Sequence, residues 1–247
     1  MSTLYVVGTP IGNLEDITLR AIRVLGEVDL ILCEDTRTSR TLLNKYDIKT
    51  ATMSFHTHSG LAKIDKIIEM LEVGKNLALI TDAGTPAISD PGSILVSKVR
   101  EELGESVQIK TVPGPSALTA ALSIVGLPDH QFTFIGFLPH KKGRETLFNK
   151  IADAEKDSFV FYESTHRIEK TLESLKEHFE KVKTPTRKIY LARELTKMFE
   201  ECLVGSAEEL IDKTKEDSNK VRGEFVVVVH PQGEKITKSE EEHADHN

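Results

Sequence analysis

Short apolar runs alternate with amphipathic stretches through the first half of the chain. Leu4-Tyr5-Val6-Val7, Leu30-Ile31-Leu32-Cys33, Leu77-Ala78-Leu79-Ile80 and Val107–Val112 each read as a strand. Between them the apolar period changes to that of a helix. Ile17, Ala21, Val24 and Leu25 share one face behind Asp16, which can serve as a cap. Thr38 can cap a short helix through Tyr46. Ile64, Ile67, Ile68 and Leu71 mark a helix that starts at Ser59 and is closed by Gly74, and another runs from about Ser93 to Leu103. Strands alternating with helices predict an α/β fold with a mostly parallel sheet.

The second half changes character. Pro113-Gly114-Pro115-Ser116-Ala117 leads into a small-residue helix, Ala117 to Val125. Strands are expected at Phe132–Gly136, Ser158–Tyr162, Lys188–Arg193, Met198–Val204 and Glu224–Val229. Helices are expected up to Asp153, over His166–Phe179 and over Ala207–Lys213. The change predicts two α/β domains, 1–115 and 116–233. Residues 234–247 carry five acids, two bases and no apolar periodicity, which predicts a disordered acidic tail.

The most heavily punctuated connection follows the third apolar run. Asp82 to Gly92 holds two Gly, two Pro, two Ala and two Asp. Small residues let a ligand approach the backbone, and ligands of open α/β sheets bind beyond the carboxyl ends of strands. Similar stretches follow other apparent strand ends: Gly8–Asn13, Glu34–Arg37, Pro113–Ala117, Glu163–Arg167 and Glu194–Lys197. Parallel strands would bring several of them to one sheet edge. Gly8-Thr9-Pro10-Ile11-Gly12 does not match GxGxxG, and the chain contains neither a Walker A sequence nor a GxSxG elbow.

Charge and cysteine usage narrow the field. A net charge of -7 argues against gripping nucleic acid by bulk attraction, while leaving room for a local basic face. Cys33 and Cys202 form no CxxC pair, and His56 and His58 have no further ligand cluster beside them, so no metal is expected. No apolar run approaches the ~20 residues of a membrane span, and the N-terminus lacks a signal-peptide pattern. A cytoplasmic protein is expected.

The ordered set of motifs resembles a known family. Val7-Gly8-Thr9-Pro10-Ile11-Gly12-Asn13-Leu14, Glu34-Asp35-Thr36-Arg37, Thr81-Asp82-Ala83-Gly84-Thr85-Pro86, Asp90-Pro91-Gly92 and Pro113-Gly114-Pro115-Ser116-Ala117 resemble the tetrapyrrole-methylase superfamily. So do Gly136-Phe137-Leu138-Pro139, Phe161–Arg167 and Ala192–Lys197. Together they are similar to one branch, the ribosomal RNA small subunit methyltransferase I family. The usual superfamily loop after the first strand is richer in Gly, and Asp82-Ala83-Gly84 stands where tetrapyrrole enzymes typically have Gly-Asp-Pro. Both departures favour the RNA branch.

That resemblance implies two α/β domains of the tetrapyrrole-methylase type with the cofactor cleft between them, and a homodimer. It implies S-adenosylmethionine as cofactor and the ribose 2′-oxygen of a cytidine in the decoding region of 16S rRNA as acceptor, within the small ribosomal subunit. By motif position the donor-site candidates are Pro10, Asp82, Ala83, Gly84, Ser116, Ala117, Tyr162, Leu195 and Gly223. A ribose hydroxyl is a weak acid, so a general base would help, with Glu34, Asp35, Glu163, Glu194 and Lys197 as candidates. Arg37, Arg40, Lys141, Lys142, Arg144, Arg167 and Arg193 are expected to form a local basic rim for RNA. The competing readings are a methyltransferase acting on a tetrapyrrole and a non-catalytic module that binds S-adenosylmethionine.

Overall fold

The computed structural model describes residues 1–56, 60–127, 131–154, 156–182 and 187–230. The expected helix start at Ser59, His58 and the acidic tail lie outside the described residues. The chain divides into two compact units. The first comprises residues 1–120 and 195–198, and the second comprises the remainder. The division falls inside the helix that follows Ser116.

The first unit is built on β1 (Ser2–Val7), β2 (Leu30–Cys33), β3 (Thr52–Ser54), β4 (Leu77–Leu79) and β5 (Val107–Val112). They form one all-parallel sheet in the order β3-β2-β4-β1-β5. Its helices are α1 (Leu19–Glu27), α2 (Thr36–Lys45), α3 (Leu61–Glu72) and α4 (Gly92–Leu103). Strand alternation sends side chains to both faces. Val7, Ile31, Cys33, Ala78 and Val112 pack with Ala21, Val24 and Leu25 of α1 and with Leu42 and Leu43 of α2. Leu4, Leu32, Leu77, Leu79 and Val107 pack instead with Ile64, Ile67, Ile68 and Leu71 of α3 and with Leu95 and Val99 of α4. A sheet covered on both faces needs continuous apolar strands, which is why the runs at Leu30 and Leu77 carry no polar alternation.

α5 (Ala117–Val125) spans the division. The second unit holds β6 (Thr133–Phe137), α6 (Arg144–Asp153), β7 (Phe159–Ser164), α7 (Ile168–Val182), β8 (Lys188–Arg193), β9 (Glu201–Gly205), α8 (Ala207–Glu216) and β10 (Glu224–His230). Its sheet runs β6-β7-β10-β8-β9 and is mixed. Only β6 and β7 pair in parallel; the other three pairings are antiparallel. Phe159, Phe161, Ile189, Leu191, Leu203, Phe225, Val227 and Val229 pack with Phe148, Ile151, Leu172, Leu175 and Leu210 of α6, α7 and α8. Ser206 and Glu209 start α8 with reciprocal bonds between side chain and amide.

Several local readings are corrected. Thr18, not Asp16, caps α1, accepting from the Ala21 amide at 3.1 Å, and Ile17 is buried ahead of the helix. Asp35, not Thr38, caps α2, accepting from the Arg37 amide at 2.8 Å. The third strand in chain order, β3, lies at the sheet edge and has no apolar run to announce it. β9 begins at Glu201 because the preceding residues from Leu195 to Met198 belong to the first unit. α7 begins at Ile168, two residues after the expected start.

Candidate functional site

Because every strand of the first sheet is parallel, the loops after β1, β2, β4 and β5 emerge at the same carboxyl edge. Direct bonds tie these loops together. Thr9 and Gly84 exchange amide-to-carbonyl bonds of 2.9 and 3.1 Å, a short antiparallel bridge between the loops after β1 and β4. The Thr9 hydroxyl lies 3.1 Å from the Thr81 carbonyl oxygen and 3.3 Å from that of Gly84. The Thr81 hydroxyl donates to Glu34 at 3.0 Å, and the Asp35 amide donates to Asp82 at 3.1 Å, which ties in the loop after β2. The Thr85 hydroxyl donates to the Pro115 carbonyl, joining the loop after β5.

Two glycines make the edge compact. A Cβ on Gly8 would stand 2.9 Å from the Cα and N of Gly114, and one on Gly114 would meet the Gly8 carbonyl at the same distance. Two backbones therefore cross where no side chain fits. The loop after β4 also stores backbone strain. Ala87 sits at φ +69°, and the Asp90 carboxylate holds it by accepting from the amides of Ala87 and Gly92.

A fifth segment joins this edge from far along the chain. Thr196 accepts from the Asn13 amide at 3.0 Å. A Cβ on Gly12 would collide with Lys197 Cγ at 2.6 Å and Thr196 Oγ1 at 2.9 Å. Glu194 and Thr196 flank Leu195 with φ of +49° and +67°. Positive φ at a β-branched residue is a genuine outlier, so the turn around Leu195 is strained where the segment meets the loop after β1.

Seven of the nine donor-site candidates thus belong to the first unit: Pro10, Asp82, Ala83, Gly84, Ser116, Ala117 and Leu195. Pro10, Gly84 and Leu195 are buried, Ser116 and Ala117 are half-buried at the start of α5, and Asp82 and Ala83 are exposed. Tyr162 and Gly223 belong to the second unit. The carboxyls at this edge behave differently. Desolvation and the neighbouring Asp35 charge push Asp82 up, against the pull of the Asp35 amide. The Arg37 guanidinium holds Asp35 down to about 2.

The basic and acidic candidates of the second unit form three separate sets. Glu163, with its side chain 1% exposed, accepts from the Ser164 amide at 2.9 Å and from the Thr171 hydroxyl at 2.8 Å. Arg167 Nε lies 3.3 Å from Glu163, while its Nη2 donates to the Leu138 carbonyl at 2.7 Å. Arg144 donates to Thr171 and to the Pro139 carbonyl. Burial, then the Arg167 charge, pushes the Arg144 guanidinium down. In the second set the Glu194 carboxylate accepts from the Glu224 amide at 3.0 Å and covers Gly223, which has φ +104°. Thr165 grips both the amide and the carbonyl of Gly223. In the third, Arg193 is 8% exposed and donates to Glu201 and to the carbonyls of Asn219 and Arg222.

Of the seven rim candidates, Arg37, Arg40, Lys141 and Lys142 are exposed, and Arg144, Arg167 and Arg193 are engaged within the unit. Thr9, Thr81 and Thr165 stand inside the sequence motifs, but neither they nor Thr171 is among the site candidates, although these four hydroxyls do much of the tying. For Thr9, Thr81 and Thr165 the signal is a hydroxyl residue just beyond a strand end, while Thr171 lies inside α7 and carries none. Among the described residues no three His, Cys, Asp or Glu side chains are placed to hold a metal, and burial pushes both free thiols, Cys33 and Cys202, up. No helix among the described residues is long and apolar enough to cross a membrane.

Known proteins resemble this chain in sequence and in fold. The family model for Tetrapyrrole (Corrin/Porphyrin) Methylases matches residues 3–211. A ribosomal RNA small subunit methyltransferase I of Thermotoga maritima is 43% identical over 93% of this chain and 98% of its own length. One of Escherichia coli O157:H7 is 44% identical over 92% of this chain and 77% of its own. Among solved structures, the methyltransferase CobJ superposes with a TM-score of 0.67 at 20% identity, over 96% of this chain and 97% of that one. The uroporphyrin-III-C-methyltransferase of Thermus thermophilus gives 0.62 at 20%, over 93% and 94%. These two likenesses carry the fold, and the closer identities to the RNA enzymes carry the branch: the chain belongs to the ribosomal RNA small subunit methyltransferase I family of the tetrapyrrole methylases.

Proposed function

We propose that this protein uses S-adenosylmethionine to methylate the ribose 2′-oxygen of a cytidine in the decoding region of 16S rRNA, in the small ribosomal subunit. The observation that carries the reading is the carboxyl edge of the first sheet, where backbone and small residues make a surface open to close approach. The fit to the cofactor is chemical. The exposed Asp82 and Ala83 leave this part of the loop open to a ligand, with no bulky side chain at Ala83, and the Asp82 carboxylate suits a positively charged sulfonium. When bound, the cofactor supplies an activated methyl group; every other demand falls on the protein.

Those demands are alignment and proton removal. Pro10, Asp82, Ala83, Gly84, Ser116, Ala117 and Leu195 would hold the donor for in-line approach of the acceptor oxygen, and the family resemblance assigns Tyr162 and Gly223 to the donor as well. Among the base candidates, Asp35 is a poor proton acceptor because Arg37 holds its carboxyl at about 2. Glu163 has both oxygens bonded in a buried set, and Glu194 is committed to the Glu224 amide. Glu34 and Lys197, both at the edge of the first sheet, are the candidates this reading retains. Arg37, Arg40, Lys141 and Lys142 supply exposed positive charge for phosphate. The working form is a cytoplasmic homodimer, a reading supported by the family resemblance.

Methyl transfer from labelled S-adenosylmethionine to small subunits lacking the modification tests this directly. A 2′-O-methyl group blocks alkaline cleavage at its own nucleotide. Label in an alkali-resistant dinucleotide beginning with cytidine is the expected result. Label elsewhere keeps a methyltransferase and overturns the ribose assignment. Donor binding without transfer favours a tetrapyrrole acceptor or a non-catalytic binder.

A further inference from the structure

The last residue of β6 presents an aromatic ring to solvent on a rigid base. The pairing of β6 with β7 shifts register between Phe134 and Gly136, and Gly136 takes φ +74°. Such an irregularity re-aims the side chain that follows. That side chain is Phe137, 58% exposed. Its ring meets Tyr162 at 5.3 Å and 62°, and Phe134 meets the same Tyr162 at 5.1 Å and 68°. Both are edge-to-face contacts, so Phe137 stands on an aromatic support.

The backbone beyond it is equally well held. Arg167 donates to the carbonyls of Leu138 and Pro139, and Arg144 donates to Pro139 and to Thr171, whose hydroxyl in turn donates to buried Glu163. Two guanidiniums share this set with one carboxylate, which leaves local positive charge. Lys141 and Lys142 follow at once and are exposed. A lone exposed Phe is unremarkable on a protein surface. One fixed in place a few residues before two exposed lysines has the chemistry of single-stranded RNA recognition, where bases stack on aromatic rings and cations take the phosphates.

We propose that Phe137 is a stacking platform for an unpaired nucleobase of the RNA substrate, with Lys141 and Lys142 on the adjoining phosphates. The proposal rests on the rRNA methyltransferase reading above. It assigns Arg144, Arg167 and Glu163 to a bracing role: they set the segment from Leu138 that follows the ring.

The test compares Phe137→Leu, which keeps apolar packing on Tyr162, with Phe137→Trp, which keeps a stacking face. Methyl transfer to unmodified small subunits gives kcat and KM. Calorimetry gives the S-adenosylmethionine affinity, and sedimentation gives the oligomeric state. F137L is expected to raise KM for subunits about tenfold, the scale of one lost base stack, with cofactor affinity unchanged. F137W should stay within about twofold of the parent. Wild-type KM in F137L overturns the platform, as does an equal loss in F137W. A KM rise that tracks dissociation of protein copies overturns it in favour of an interface between copies. If the parent protein transfers no label, binding of a fluorescent, unmethylated 16S rRNA fragment decides separately. Binding lost in F137L keeps the platform without the activity, and equal binding removes both.

Discussion

The two units immobilise irregular loops by different means. In the first, loops are clipped to each other by main-chain bonds, threonine hydroxyls and the contact of Gly8 with Gly114. In the second, inward-turned guanidiniums collect carbonyls from loops and from the end of a helix. Arg193 holds those of Asn219 and Arg222, Arg167 that of Leu138, and Arg187 those of Ile151, Ala154 and Asp157. The difference follows from what each edge must leave open. Clips made of backbone and small side chains leave the loop surface accessible to a ligand. A guanidinium fills the space beneath a loop and fixes its shape from behind, leaving its outer face to carry Lys141.

The sharpest way to break this comparison is to remove a guanidinium. Arg187 is among the largest fully buried side chains, and burial pushes its pKa down without offering a carboxylate as a hydrogen-bond partner. Arg187→Met keeps the bulk and strands three carbonyls. A loss of about 3 kcal/mol or more is expected in urea unfolding, since each bond to a charged donor carries about 1.5–3 kcal/mol. A loss under about 1 kcal/mol would mean the loop finds other donors.

Gly8→Ala attacks the other device. Its Cβ would press on the backbone of Gly114, which cannot swing aside, so about 1–3 kcal/mol of stability should be lost. Cofactor affinity, read by calorimetry at a temperature where the variant is folded, should fall with it. An unchanged affinity would separate the glycine crossing from the donor site.

Thr9→Val is a milder probe of the same edge. Thr9 is 2% exposed, and the change keeps its shape while removing one hydroxyl. About 1 kcal/mol is expected from thermal melts. KM for the cofactor should rise more than kcat falls, because the bond positions the Asp82–Gly84 loop and touches no reacting atom. Serine, which keeps the hydroxyl, should restore KM.

The smallest effects come from pH and separate two neighbouring carboxyls. Asp82 is raised by desolvation, so its ionised form disappears at a higher pH than an ordinary carboxylate's as acid is added. Cofactor affinity should weaken through that range, and Asp82→Asn should flatten the profile. Asp35 is depressed to about 2, so its contribution to stability is complete above its ordinary value near 3.8 and is lost only as pH falls towards 2. A cofactor affinity that stays constant into the Asp35 range would exclude Asp82 from the donor site.

Apolar patterning carried most of the first unit. Runs such as Leu30–Cys33 and the helix of Ile64, Ile67, Ile68 and Leu71 are dictated by burial, which acts residue by residue and leaves a period in the chain. β3 escaped because Thr52-Met53-Ser54 has no such period; it is a strand only through its pairing with β2 at the sheet edge. The caps moved for a related reason. Asp16 and Thr18, or Asp35 and Thr38, are equally able acceptors in isolation, and packing of the following helix chooses between them.

Small-residue loops at strand ends were legible because a Gly or Pro has few uses, and those uses are local. The charged residues were not. Arg37 and Arg193 look alike in the chain, yet one is on the surface and the other holds the turn before β10. A long side chain can reach several partners, and its direction depends on carbonyls brought near by residues far away in sequence. The joining of Thr196 and Lys197 to Gly12 belongs to the same class. Patterning and motifs therefore settled the strands, most helices and the character of the loops, since each depends on neighbouring residues. Which loops meet, which arginines turn inward and where an aromatic ring is left standing in solvent depended on contacts across the chain, and only the folded molecule decides those.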